Sequence, residues 1–141
     1  MILLDTDHLT VLSFPDHSQS AALAARVATA NGQTVAITVV NMEEPLRGWL
    51  AEINRHRDVH DQIVFYDRLA KLISFFARWR IVAFDVRAAD EFKRLRKQRI
   101  RIGTMDLKIA AIALVHDALL LTRNLGDFRQ VPGMRLENWL Q

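Results

Sequence analysis

Short apolar runs alternate with longer stretches of helical periodicity along this chain. Ile2–Leu4, residues 35–39 and Leu119–Leu121 read as buried strands, and residues 81–84 as a fourth. Between them, Ser18 is placed to cap an alanine-rich helix reaching Ala30, where Asn31 and Gly32 stop it. Asn41 opens a second helix, with Met42, Leu46, Trp49, Leu50 and Ile53 as an apolar stripe. Asp58 or Asp61 starts a long amphipathic segment through Ile63, Leu69, Leu72, Ile73, Phe76 and Trp79. Asp85 caps a helix with Val86, Ala89, Phe92 and Leu95 on one side. Thr104 caps DLKIAAIALV, whose near-continuous apolarity predicts burial. This alternation predicts an α/β sandwich in which helices flank a central, mainly parallel sheet.

Four acids stand just beyond the strand-like runs or at the helix starts that follow: Asp5, Glu44, Asp106 and Asp127. In a parallel sheet such positions gather at the carboxyl ends of the strands, where ligands bind. Taken singly, each acid has a structural explanation. Asn41 and Glu44 fit a capping box, Asp106 suits a helix N-terminus, Asp127 suits a turn at Gly126, and Asp7 could cap the helix holding Leu9 and Leu12. Asp5 resists that reading, because a carboxylate directly after a fully apolar strand is costly to bury unpaired. A cation would offset the cost. Carboxylates with no neighbouring Cys or His suit Mg²⁺, with Mn²⁺ as a substitute, and such an ion can activate a water for in-line attack on a phosphate.

Composition narrows the class without changing that picture. With 141 residues, half of them apolar, the chain is expected to form one globular domain over residues 1–141. The absence of cysteine excludes disulfides, thiolate metal sites and a cysteine nucleophile. MILLD reads as a first buried strand, not a signal peptide, and polar residues interrupt every long apolar stretch, so a soluble cytoplasmic protein is expected. The net charge is only +3, yet KRLRKQRIR concentrates Lys93, Arg94, Arg96, Lys97, Arg99 and Arg101. Such a run is commonly a solvated helix face. Beside an acidic site it becomes a footprint for a phosphate backbone. His56 and His60 have zinc-compatible spacing but no third ligand, and His8, His17 and His116 read as surface or structural.

The blocks LDTD at 4–7, ITVVNMEEPLRG at 37–48, IGTMDLKIAAIAL at 102–114, LLTRNLGDF at 120–128 and VPGMRLENW at 131–139 resemble, in order and spacing, a PIN-domain ribonuclease of the VapC toxin type. The resemblance implies a PIN-like three-layer sandwich. It also implies a Mg²⁺-dependent endoribonuclease, the toxin of a toxin–antitoxin pair, commonly a homodimer and inhibited by its antitoxin protein. By position it makes Asp5 and Asp106 the principal metal ligands, with Asp127 assisting. Glu44 matches the second family acid, while Glu43 is one residue out of register. Thr122 and Asn124 belong to the TRN-x-x-DF block, and the basic run would position RNA. Pro45 stands where the family usually has an apolar residue, and Asn124 where some relatives carry an acid.

Two other readings fit parts of the sequence. Asp5-x-Asp7 with Thr38 resembles a haloacid-dehalogenase-like phosphatase, although His8 replaces the expected glycine and no later paired-acid motif appears. A non-cleaving RNA-binding module would use the basic run, but acids near phosphate would hinder it.

Overall fold

The computed structural model describes residues 1–30 and 32–141. Its elements run β1 (Ile2–Leu4), α1 (Thr6–Ser13), α2 (Ser20–Ala28), β2 (Val35–Thr38), α3 (Val40–Arg55), α4 (Val59–Phe76), β3 (Arg80–Val82), α5 (Val86–Lys97), α6 (Thr104–Val115), β4 (Leu119–Leu121), α7 (Leu125–Phe128) and β5 (Arg135–Glu137). The strands form one sheet in the order β3-β2-β1-β4-β5, with every pairing parallel. Sheet polarity therefore places all the strand ends that precede Asp5, Val39, Ala83, Thr122 and Asn138 along one edge.

Side-chain alternation on the central strands divides the core into two layers. Leu3, Ala36 and Leu120 face the layer of α5, α6 and α7, packing with Leu95, Leu107, Ala110 and Phe128. Ile2, Leu4, Ile37 and Leu121 face α1, α3 and α4, packing with Leu9, Leu46, Leu72 and Phe76. The α/β sandwich expected from the alternation, and the three-layer form implied by the resemblance, are observed, with a sheet that is wholly parallel. Helix α6 is buried through Leu107 and residues 109–113, as its continuous apolarity requires.

Several local expectations shift. Helix α2 starts at Ser20 after Gln19, with no side-chain cap, so Ser18 does not cap it. Its predicted stop falls partly on Asn31, which lies outside the described residues; Gly32 adopts φ +68°, a left-handed turn conformation natural to glycine. The second strand ends at Thr38, the strand near residue 81 runs Arg80–Val82, and β5 is an additional strand. Asp58 and Asp85 cap α4 and α5, accepting from the backbone N–H groups of His60 and Ala88. Gly103, not Thr104, precedes α6. Leu50, in the predicted apolar stripe of α3, and Ile63 and Ile73, in the amphipathic pattern of α4, are exposed. No described helix is long and apolar enough to cross a membrane.

Candidate active site

The site begins where β1 stops. Asp5 N–H still donates to Leu121 O at 2.9 Å, continuing the sheet pairing by one residue. Its side chain then turns to cap α1, with Oδ1 accepting from Thr6 N–H at 2.8 Å. Oδ2 accepts from the Thr122 hydroxyl at 2.7 Å. Asp5 is 6% exposed and Thr122 is fully buried, so the carboxyl is seated in the sheet edge by two neutral donors and, among the described residues, by no cationic side chain. Burial pushes its pKa up to about 6. The Thr122 and Thr6 hydrogen bonds oppose this rise, while the charges of Asp7 and Asp106 reinforce it.

The start of α3 contains a capping box three residues earlier than the sequence suggests. Thr38 Oγ1 accepts from Asn41 N–H at 3.2 Å, and Asn41 Oδ1 accepts from Thr38 N–H at 3.0 Å and from its hydroxyl at 2.8 Å. Asn41 is therefore the reciprocating residue inside the helix, and Glu44 has no capping duty. The Asn41 amide also donates to Thr6 Oγ1 at 3.2 Å, joining α3 to α1. Glu43 pairs with Arg47 at 3.0 Å on the exposed side of α3. Glu44 instead lines a polar cleft of about 420 Å³ with Thr6, Asn41, Thr104 and Asp106. Pro45 lies inside α3, where it has no N–H to offer the carbonyl four residues back, and the helix still begins at Val40.

Asp106 belongs to the first turn of α6, a position favourable to negative charge. Even so its pKa is raised, first by burial and then by the charges of Asp127, Glu44 and Asp7. Asp127 is held by the Asn124 amide, which donates to Oδ2 at 3.1 Å, while Asn124 N–H donates to Thr122 Oγ1 at 2.9 Å. The four predicted acids thus share one electrostatic neighbourhood at the sheet edge. They do not all converge on one point, since no three Asp, Glu, His or Cys side chains form a ready-made cation site among the described residues. An all-oxygen, net-negative set without soft ligands still fits Mg²⁺, which is commonly held through one or two carboxylates and several waters.

Asp7 is the acid that sequence reasoning misplaced. It does not cap α1, because Asp5 does. Asp7 accepts from Arg123 N–H at 2.9 Å and lies 2.6 Å from His8 Nδ1. Burial alone would raise it, but the His8 ring and the Arg123 N–H outweigh burial and hold its carboxyl below the usual range. So held, Asp7 is poorly placed as the proton-carrying acid of a phosphatase pair, and Thr38 is likewise engaged in its capping box. His8 is fully buried. The signal available in the sequence was its position on the inward face of α1, one residue before Leu9.

The basic run lies on the last turns of α5 and in the connection 98–103 that leads to Asp106. Lys93, Arg94, Arg96, Lys97, Arg99 and Arg101 are all exposed. Arg94 is engaged by Glu91, and Arg96 lies over the Phe92 ring at 5.5 Å. Arg99 takes φ +56°, a left-handed position that usually selects glycine or asparagine. Of the basic run, Arg99 and Arg101 are the members nearest in sequence to Asp106, across a short turn between packed helices.

Comparison with known proteins agrees with this architecture. Residues 2–134 match the family model for the PIN domain. Ribonuclease VapC2 of Rickettsia felis is 34% identical over 74 residues, covering 50% of this chain and 55% of the relative. The tRNA(fMet)-specific endonuclease VapC of Salmonella typhimurium is 32% identical over 75 residues, covering 50% and 57%. The chain thus matches little more than half the length of these curated relatives. Among solved structures, VapBC-1 of nontypeable Haemophilus influenzae superimposes with a TM-score of 0.77 at 20% identity, over 100% of both chains. VapBC2 of Rickettsia felis, bound to a promoter DNA fragment, gives 0.72 at 24% identity, over 99% of both. With the family model spanning residues 2–134, nearly its whole length, the chain belongs to the PIN-domain family.

Proposed function

We propose that this chain is a divalent-cation-dependent endoribonuclease, the toxin of a toxin–antitoxin pair. The observation that supports the reading best is the buried Asp5 carboxyl, seated beside Asp7 and Asp106, paired with no cationic side chain among the described residues, and pushed up to about 6. Retaining an uncompensated acid there has a cost to the fold and a use in binding a cation. The printed names of the Rickettsia and Salmonella relatives, a ribonuclease and a tRNA-specific endonuclease, support RNA as the substrate.

In this reading Asp5 and Asp106 hold Mg²⁺ or Mn²⁺, with Glu44 and Asp127 reaching it directly or through water. The cation, when bound, neutralises phosphate charge and lowers the pKa of a water at the scissile bond. Thr6 N–H and the Thr122 hydroxyl orient the two Asp5 oxygens. Asn124 steadies Asp127. Lys93, Lys97, Arg99 and Arg101 draw the RNA backbone along the rim toward Asp106, with Arg96 in support and Arg94 contributing less because Glu91 holds it. The expected products carry a 5′-phosphate and a 3′-hydroxyl.

The partner reading rests on an apolar groove of about 460 Å³ that adjoins Glu44 and is walled by Leu9, Phe14, Trp49, Leu72 and Phe75. An antitoxin segment lying there with an apolar face would reach the acids and block them. The similarity in fold to the VapBC structures of Haemophilus influenzae and Rickettsia felis supports such a partner. Purified protein is expected to cut RNA internally with Mg²⁺ or Mn²⁺ and to stop with EDTA. Full activity of Asp5→Ala or Asp106→Ala would refute the assignment.

A further inference from the structure

His8 occupies the sheet-facing side of α1, where an apolar residue would ordinarily pack, and it is 0% exposed. Both ring nitrogens are used. Trp139 N–H donates to Nε2 at 3.1 Å, and because a backbone N–H only donates, the ring proton belongs on Nδ1. Nδ1 then donates to Asp7 Oδ1 at 2.6 Å. The other Asp7 oxygen accepts from Arg123 N–H at 2.9 Å, next to Thr122, whose hydroxyl holds Asp5. One hydrogen-bonded chain therefore connects the segment after β5, the first turn of α1 and the turn after β4. That last turn carries Thr122, Asn124 and Asp127.

We propose that Asp7 and His8 are positioning residues that fix the turn after β4 against Asp5 and so set how tightly the acidic cleft holds a divalent cation. The inference rests on the cation-binding reading above. Asp7 acts through its hold on Arg123, and His8 acts by aiming Asp7. A histidine is required because the two ends of one rigid ring must meet two partners, a backbone N–H and a carboxylate. Outer partners of this kind commonly change metal affinity about 10- to 100-fold when removed.

Mn²⁺ alone, titrated into the full chain without RNA and followed by the loss of the free-ion EPR signal, separates this role from a structural one. The amide of His8→Asn lies near the position of Nδ1 and still donates to Asp7. The longer His8→Gln meets Trp139 N–H and leaves Asp7 unaimed. Each variant loses one buried hydrogen bond, so their melting temperatures should fall by similar amounts. The expected result is that His8→Asn keeps the Mn²⁺ Kd within about threefold, while His8→Gln and Asp7→Asn weaken it by roughly tenfold or more. His8→Gln retains the Asp7 charge, which distinguishes aiming from loss of charge. Asp7→Asn changes a partly exposed side chain at constant volume and supplies a variant that keeps the fold. Equal losses in the two His8 variants, or wild-type binding by Asp7→Asn, overturn the proposal. Mn²⁺ binding unaffected by Asp106→Ala overturns the cation site itself, and this proposal with it.

Discussion

Replacing Asp5 with asparagine should stabilise the cation-free protein while abolishing cleavage. An ordinary aspartate has a pKa near 3.8, whereas burial holds Asp5 at about 6. Between pH 4 and 6 the native state binds more protons than the unfolded chain, so stability falls as pH rises through that window and levels off above it. Above pH 6 the ionised carboxylate costs about 3 kcal/mol relative to the unfolded state. The substituted side chain would carry no charge, and its amide would donate to Thr122 Oγ1 where Asp5 Oδ2 now accepts. Since one of the two present hydrogen bonds must be rearranged, the realised gain at pH 7 should be about 1–3 kcal/mol. For a chain of this size that corresponds to several degrees in Tm. Urea denaturation in EDTA, at pH 4 and pH 7, measures it. The advantage of Asp5→Asn should be near zero at pH 4 and full at pH 7. Adding Mg²⁺ at a hundredfold excess over its Kd should restore about 2.7 kcal/mol to the wild type and little to the variant. A variant less stable than wild type at pH 7 in EDTA, or an advantage that does not change between the two pH values, would show that the ionised Asp5 carboxylate imposes no cost on the fold.

Glu44→Ala should reduce RNA cleavage by roughly 100-fold or more, as loss of a charge-bearing group at a reacting centre does, whereas Glu43→Ala removes only an exposed pair with Arg47 and should leave cleavage within about twofold; initial rates on one RNA decide between them. Asn41→Ala leaves the buried Thr38 N–H and hydroxyl without their acceptor and should cost about 2–3 kcal/mol by urea denaturation. Arg99→Ala with Arg101→Ala should weaken RNA binding and lower the slope of log affinity against log salt by about 1–2, while Arg94→Ala, already paired with Glu91, should change it less; a salt series of binding isotherms reads this.

The sheet was legible because its central strands, Ile2–Leu4, Val35–Thr38 and Leu119–Leu121, are apolar on both faces, as strands covered by helices must be. Strand β5 was not, since Arg135 and Glu137 are exposed at the sheet edge and give RLE no hydrophobic signature. The four acids were legible from their places after strands and at helix starts, but their neighbours were not. Asn41 resembles an N-cap by type, and only the fold shows Thr38 in that role with Asn41 reaching back. Asp7 and His8 looked local because their partners, Arg123 and Trp139, are more than a hundred residues away. Long-range hydrogen bonds of single polar residues leave no periodic trace in a sequence. The apolar face of α4 was visible as a pattern, but which side meets the core was not, and Ile63 and Ile73 proved to be outside it.

RNA-end sequencing after controlled expression, comparing wild type with Asp106→Ala, shows whether the acidic cleft cuts RNA. New internal ends carrying 5′-phosphates are expected at a small set of sites in the wild type, and none of them in the variant. The same ends in both, or none in either while the wild-type protein is folded and abundant, would contradict cleavage by that cleft.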